Sequence, residues 1–204
     1  MAWAWVAFDH APGGGRAARV PRGAMRLLPL ALLALGLVGC PHAPGPARTP
    51  EEARTRVGAL LDSPDAGAAD FAAVGTQAPG ALAAVLSDPA ASTGRRLGAA
   101  RALSALPDGA GVAALARAVA SPGLPEAVRD GAAEALGGSD REAAVDRLSP
   151  LLGNADPAIR SAAARGLGRA GGPGARKSLE ERLELEEDPG VRERLQAALA
   201  RVQP

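Results

Sequence analysis

Aromatic side chains are almost absent from this 204-residue sequence, with two Trp, two Phe and no Tyr. Trp3, Trp5 and Phe8 all stand in the first ten residues, which leaves Phe71 as the sole aromatic beyond them. That excludes a core built on large rings and a platform for stacking nucleic-acid bases. Cysteine occurs once, as Cys40, so no intramolecular disulfide framework forms, and with only His10 and His42 there is no Cys/His zinc cage. The long apolar stretch Leu27–Gly39 has thirteen residues, short of the roughly 20 that a bilayer-spanning helix needs. What remains is small or stiff: Ala, Gly and Pro fill 94 of 204 positions. Twenty-two Arg against the single Lys177 complete a usage expected of a GC-rich bacterial genome.

The thirteen-residue stretch follows Met25-Arg26 and ends at Cys40, the length and charge of a secretory h-region behind a positive n-region. Residues 1–24 are long and Gly/Arg-rich for an n-region and contain Asp9, so translation is expected to start at Met25, with the signal peptide spanning 25–39. Removing it discards Arg16, Arg19, Arg22, Arg26 and Asp9, leaving 19 basic against 21 acidic residues. The mature chain is slightly acidic and carries no basic stripe for nucleic acid. Residues 41–48 hold three prolines and a glycine, so 40–48 read as a semi-rigid tether in which His42 is solvated. Folded structure is expected from Thr49, an N-cap followed by Pro50 at N1 and Glu52 at N3.

Over 49–204 an internal period governs the sequence. Arg-x-x-Ala-Ala-x-Ala-Leu begins at Arg96 and Arg129, returns with one glycine at Arg160, and weakens at Arg192, at intervals of 33, 31 and 32 residues. A second series, Leu82, Leu115, Leu148 and Leu179, keeps the same phase. The first series places Ala and Leu on one helical stripe narrow enough for close helix approach. Asp156-Pro157 and Asp188-Pro189 start two of these helices, Asp as N-cap and Pro at N1. Second helices carry Leu82/Val85/Leu86, Val112/Leu115/Val119, Val145/Leu148/Leu152 and Leu179/Leu183 on one face. A lone hairpin of this kind cannot cover its apolar face, so the units must stack.

Two family resemblances follow from these residues. Leu37-Val38-Gly39-Cys40 resembles the lipobox of bacterial lipoproteins, which implies diacylglyceryl modification of Cys40, cleavage after Gly39 and a lipid anchor. Asp156-Pro157-Ala158-Ile159-Arg160-Ser161-Ala162-Ala163-Ala164-Arg165-Gly166-Leu167-Gly168 resembles the HEAT-like repeats of phycobilisome lyases, and the likeness extends over about 64–204. It implies an all-α, right-handed α-solenoid of about four hairpins plus a terminal helix. In that family the Asp and Arg are structural, a role that falls here to Arg96, Arg129, Arg160, Arg192, Asp156 and Asp188. The departures are a first unit around Ala66 to Leu86 without the arginine, four extra residues between Asp88-Pro89 and Arg96, and Leu124-Pro125 in place of Asp-Pro.

Other motifs do not fit their usual chemistry. Gly166-x-Gly168-x-x-Gly171 and Gly171 to Ser178 resemble dinucleotide and P-loop fingerprints, but neither follows a strand. The acidic run Glu180, Glu181, Glu184, Glu186, Glu187 and Asp188 reads as a solvated helix face. A Ser/His/Asp or Cys/His constellation is unavailable when the mature chain has only His42. No catalytic residue, cofactor, metal site, nucleic acid or small-molecule substrate is expected. The expected function is a protein–protein interaction scaffold, anchored through Cys40 to a membrane of the bacterial envelope, on the periplasmic side of the outer membrane in a Gram-negative host. Its partners would be other envelope proteins. The alternatives are a bilin-lyase-like enzyme or chaperone-like factor, and a purely structural envelope lipoprotein.

Overall fold

The structure, a computed structural model, describes residues 45–106 and 109–202. The expected signal peptide 25–39, the expected lipidation site Cys40 and His42 lie outside them.

Among the described residues ten α-helices run α1 Pro50–Leu61, α2 Ala68–Ala72, α3 Ala78–Ser87, α4 Thr93–Ser104, α5 Val112–Val119, α6 Glu126–Gly137, α7 Arg141–Leu148, α8 Pro157–Ala170, α9 Gly172–Leu185 and α10 Pro189–Arg201. There is no strand among the described residues. The chain folds as hairpins α1/α3, α4/α5, α6/α7 and α8/α9, closed by α10, with α2 a short turn inside the first hairpin. First helices α1, α4, α6, α8 and α10 lie side by side in one layer, and second helices α3, α5, α7 and α9 form the other. Among the described residues no helix is long and apolar enough to cross a membrane.

The two sequence series form the seam between the layers. Leu82, Leu115, Leu148 and Leu179 are each fully buried, as are Leu103, Leu136 and Leu167 from the first helices. Each leucine contributes about 1.5–3 kcal/mol by leaving water. Ala99/Ala100, Ala132/Ala133 and Ala163/Ala164 are buried where neighbouring first helices touch. Glycines tighten the same contacts: a Cβ at Gly168 would lie 2.9 Å from Cα of Ala198, and one at Gly166 would lie 2.7 Å from the Ala133 carbonyl oxygen. Two glycines of the fingerprint-like Gly166-x-Gly168-x-x-Gly171 thus allow helix packing. The third, Gly171, takes φ +68° at the turn into α9.

Caps set the register. Ser92, Asp156 and Asp188 cap α4, α8 and α10 through side-chain oxygens, and each stands four residues before Arg96, Arg160 or Arg192. Thr49 caps α1 by accepting from Glu52 N at 3.1 Å. Glu52 takes the amide of Arg48 rather than that of Thr49.

Several local expectations differ from the structure. The extra residues after Asp88-Pro89 form a turn, with Asp88 accepting from Ala90 N, and α4 starts instead at Ser92. The first unit begins earlier than Ala66, because α1 supplies its first helix. Arg95 of α4 ties to that helix by pairing with Asp62. The second helix of the third hairpin stops at Leu148, since Pro150 cannot continue it, and Leu152 is carried by a 3₁₀ turn, Ser149–Gly153. The expected tether ends in docked chain: Ala47 is buried, and its amide donates to the Val74 carbonyl at 2.8 Å.

Candidate functional site

The repeat arginines lie at the seam between successive first helices. Arg129 Nη1 donates to Asp156 Oδ2 at 3.3 Å, linking α6 to the N-cap of α8. Arg160 reaches the next step, with Nε and Nη2 both 2.8 Å from the carboxylate of Glu186. Glu186 also accepts from Arg182 and from the amide of Asp188, which caps α10. Its carboxyl is pulled down to about 2 by the Arg160 hydrogen bond, against the cost of burial and with help from Arg182. The same bond raises the Arg160 guanidinium further above its ordinary range. Arg192 donates to the carbonyls of Leu183 and Glu186.

Glu186 corrects one expectation, because it is buried within the acidic run that read as a solvated face. Glu184 and Glu187 of that run are exposed. Arg96 is the exception among the arginines. It pairs with no carboxylate among the described residues, because the N-cap of α6 is Pro125; its buried Nε is unpartnered, as is that of Arg129.

The opposite, outward side of the first-helix layer carries a groove of about 630 Å³. It crosses α4, α6 and α8 and reaches Arg201 of α10. Its floor is formed by Ala127, Gly131 and Ala135 of α6, the C-cap Gly138, and Leu97 of α4, whose side chain lies over Gly131. Its rim is charged, with Arg101, Arg165, Arg169 and Arg201 against Asp130 and Glu134. Both carboxylates are engaged by Arg165, Asp130 at 3.0 Å and Glu134 at 3.3 Å. Burial raises the Asp130 carboxyl above its ordinary value, opposed by Arg165 and Arg194. A smaller recess of about 320 Å³ between α1, α2 and α4 shares Arg101 and is lined by Leu60, Leu61 and Phe71.

Sequence reasoning singled out the arginines that open each repeat and did not find these outward ones. The signal was present in the same register: Arg101 and Arg165 stand five residues after Arg96 and Arg160, and Arg169 and Arg201 stand nine after Arg160 and Arg192. Among the described residues no group of three or more His, Cys, Asp or Glu is placed to hold a metal ion.

Helical hairpins stack here in constant phase, with Arg129 paired to the N-cap Asp156 and Arg160 to Glu186, and residues 123–200 match the family description HEAT repeats. Those residues, which span α6 to α10, carry HEAT repeats. No curated protein sequence matches the chain. Similar solved structures include the complex of CpcE and CpcF of phycocyanin lyase from Nostoc sp. PCC7120, 24% identical with a TM-score of 0.47 over 71% of this chain and 98% of that one. A computationally designed armadillo repeat protein for modular peptide recognition is 17% identical, TM-score 0.42, over 76% and 78%. An engineered protein is 22% identical, TM-score 0.40, over 75% and 72%. A HEAT-repeat stack presents a long side-chain surface built from one position of each repeat, which suits it to protein interaction.

Proposed function

We propose that this protein is a lipid-anchored interaction scaffold of a bacterial envelope, held to a membrane through Cys40 and engaging another envelope protein with the outward face of its first-helix layer. The observation that carries this reading is the groove across α4, α6 and α8. It is open, crosses three repeats and carries on its rim the exposed Arg101, Arg169 and Arg201 beside the Arg165 pair that ties α8 to α6. A stack that served only as a structural filler has no need of such a surface. Anchoring is supported by the sequence alone, through the thirteen-residue h-region ending at Gly39-Cys40.

The test is a photo-crosslinking residue placed at Ala127 in the groove or at exposed Glu142 on α7, in the native host, with Cys40 intact or replaced by Ala. The expected result is one discrete crosslinked protein from Ala127, none from Glu142, and loss of the Ala127 product in Cys40→Ala. Equal or absent crosslinking from both positions would count against the scaffold.

A further inference from the structure

The charge of the groove opposes that of the chain around it. The mature sequence has more acidic than basic residues. Around this groove, however, Arg101, Arg165, Arg169, Arg194 and Arg201 face Asp130 and Glu134, with Glu126 and Arg194 near enough to act on Asp130, and Arg165 pairs with both lining carboxylates. Arg101, Arg169, Arg194 and Arg201 are exposed, and none has a carboxylate within ion-pairing distance among the described residues. Like charges gathered this way repel and are left uncompensated unless a ligand brings the opposite sign.

Resting on the scaffold reading above, we propose that the groove receives an extended acidic peptide segment of the partner protein, its carboxylates held by Arg101, Arg169 and Arg201. A guanidinium presents a planar fork that matches a carboxylate with two parallel hydrogen bonds. The rim arginines recur at fixed repeat positions on different helices, so they meet carboxylates spaced along a chain and not a single small anion. Ala127 and Ala135 leave room for a peptide over α6 on either side of Leu97, which covers Gly131. No aromatic side chain lines the groove, so nothing there stacks a base. Crossing from α4 to α10 spans three helix spacings, a reach of about 30 Å that about ten extended residues cover.

The probe is a fluorescein-labelled peptide of about ten residues alternating Glu and Ala, with Gln replacing Glu in its counterpart. Both are titrated by fluorescence polarisation with the full chain in neutral detergent. The Glu peptide is expected to bind at least about tenfold more tightly than the Gln peptide, and raising salt from about 50 to about 500 mM is expected to weaken it comparably. Arg169→Glu with Arg201→Glu, both exposed and outside the buried seam, is expected to lose at least about tenfold in affinity. Arg117→Glu, exposed on α5, is expected to leave it unchanged. Equal binding of the two peptides, or no loss in the double variant, would overturn the proposal. Binding to phosphatidylglycerol vesicles without binding the peptide would overturn it in favour of a lipid surface. Salt-sensitive self-association abolished by the double variant, again without peptide binding, would overturn it in favour of a second copy. If the Ala127 crosslink persists in the double variant, the scaffold stands and the acidic-peptide assignment falls.

Discussion

Gly137 has no room for a methyl group. A Cβ there would lie 2.2 Å from the Gly166 carbonyl oxygen, backbone against backbone, where neither helix can yield alone. Gly137→Ala is therefore expected to lower stability by about 1–3 kcal/mol despite the better helix propensity of alanine. Gly153→Ala, with nothing within 4 Å, is expected to change it by less than about 0.5 kcal/mol. Urea midpoints of the two variants give the comparison. The arginines separate in the same way. Arg160→Met would strand the buried Glu186 carboxylate with Arg182 as its remaining cation and is expected to cost about 3 kcal/mol. Arg96→Met removes a buried cation that holds no acid partner and is expected to cost less, again by urea midpoint. Because the folded carboxyl of Glu186 sits at about 2 against an ordinary 4.5, its contribution is whole above about pH 4.5 and is lost as pH falls toward 2. Stability measured across that window should decline less steeply in Arg160→Met than in wild type. Parallel declines would contradict the pairing.

At the scale of elements, the caps decide where each first helix starts, and among the first helices α6 alone lacks a side-chain cap. Its N-cap Pro125 makes no side-chain bond, whereas Asp156 caps α8 and also receives Arg129. Pro125→Asp places a carboxylate at the equivalent position, four residues before the repeat arginine and facing the helix that carries Arg96. It is expected to raise stability by about 0.5–2 kcal/mol, less the chain entropy that proline had removed, and the gain should shrink in an Arg96→Met background. An unchanged or lowered thermal midpoint would show that the ladder does not extend to this step. The same elements show what was legible in sequence. Asp156-Pro157 and Asp188-Pro189 announce α8 and α10 because capping is local chemistry. The start of α4 at Ser92 and the break after Leu148 were less legible, since a serine cap competes with the nearby Asp88-Pro89, and the 3.6-residue pattern runs through Pro150 without interruption. Glu186 looked like one more surface glutamate, because only the arrival of Arg160 from the preceding unit, 26 residues earlier, makes its burial tolerable.

At the scale of the whole molecule, the stacking of small-residue helices follows from periodicity, because a hairpin whose apolar face is one stripe can only bury it against its neighbours. The groove was harder to read. Its arginines sit at repeat positions that face away from the core, where periodicity carries no signal of burial and where each residue reads as an ordinary solvated charge. Only side-by-side packing of α4, α6, α8 and α10 gathers them on one rim, while the acids that balance the chain as a whole lie largely elsewhere. An anchored molecule with such a rim is suited to hold a partner near a membrane, and that claim requires the anchor. The direct test is the intact mass and detergent partitioning of the protein from its native host, beside Cys40→Ala. The account predicts a chain beginning at acylated Cys40 that enters the detergent phase, and a Cys40→Ala variant that does not. An unmodified chain retaining residues 1–39, or a Cys40→Ala variant that partitions like wild type, would contradict it.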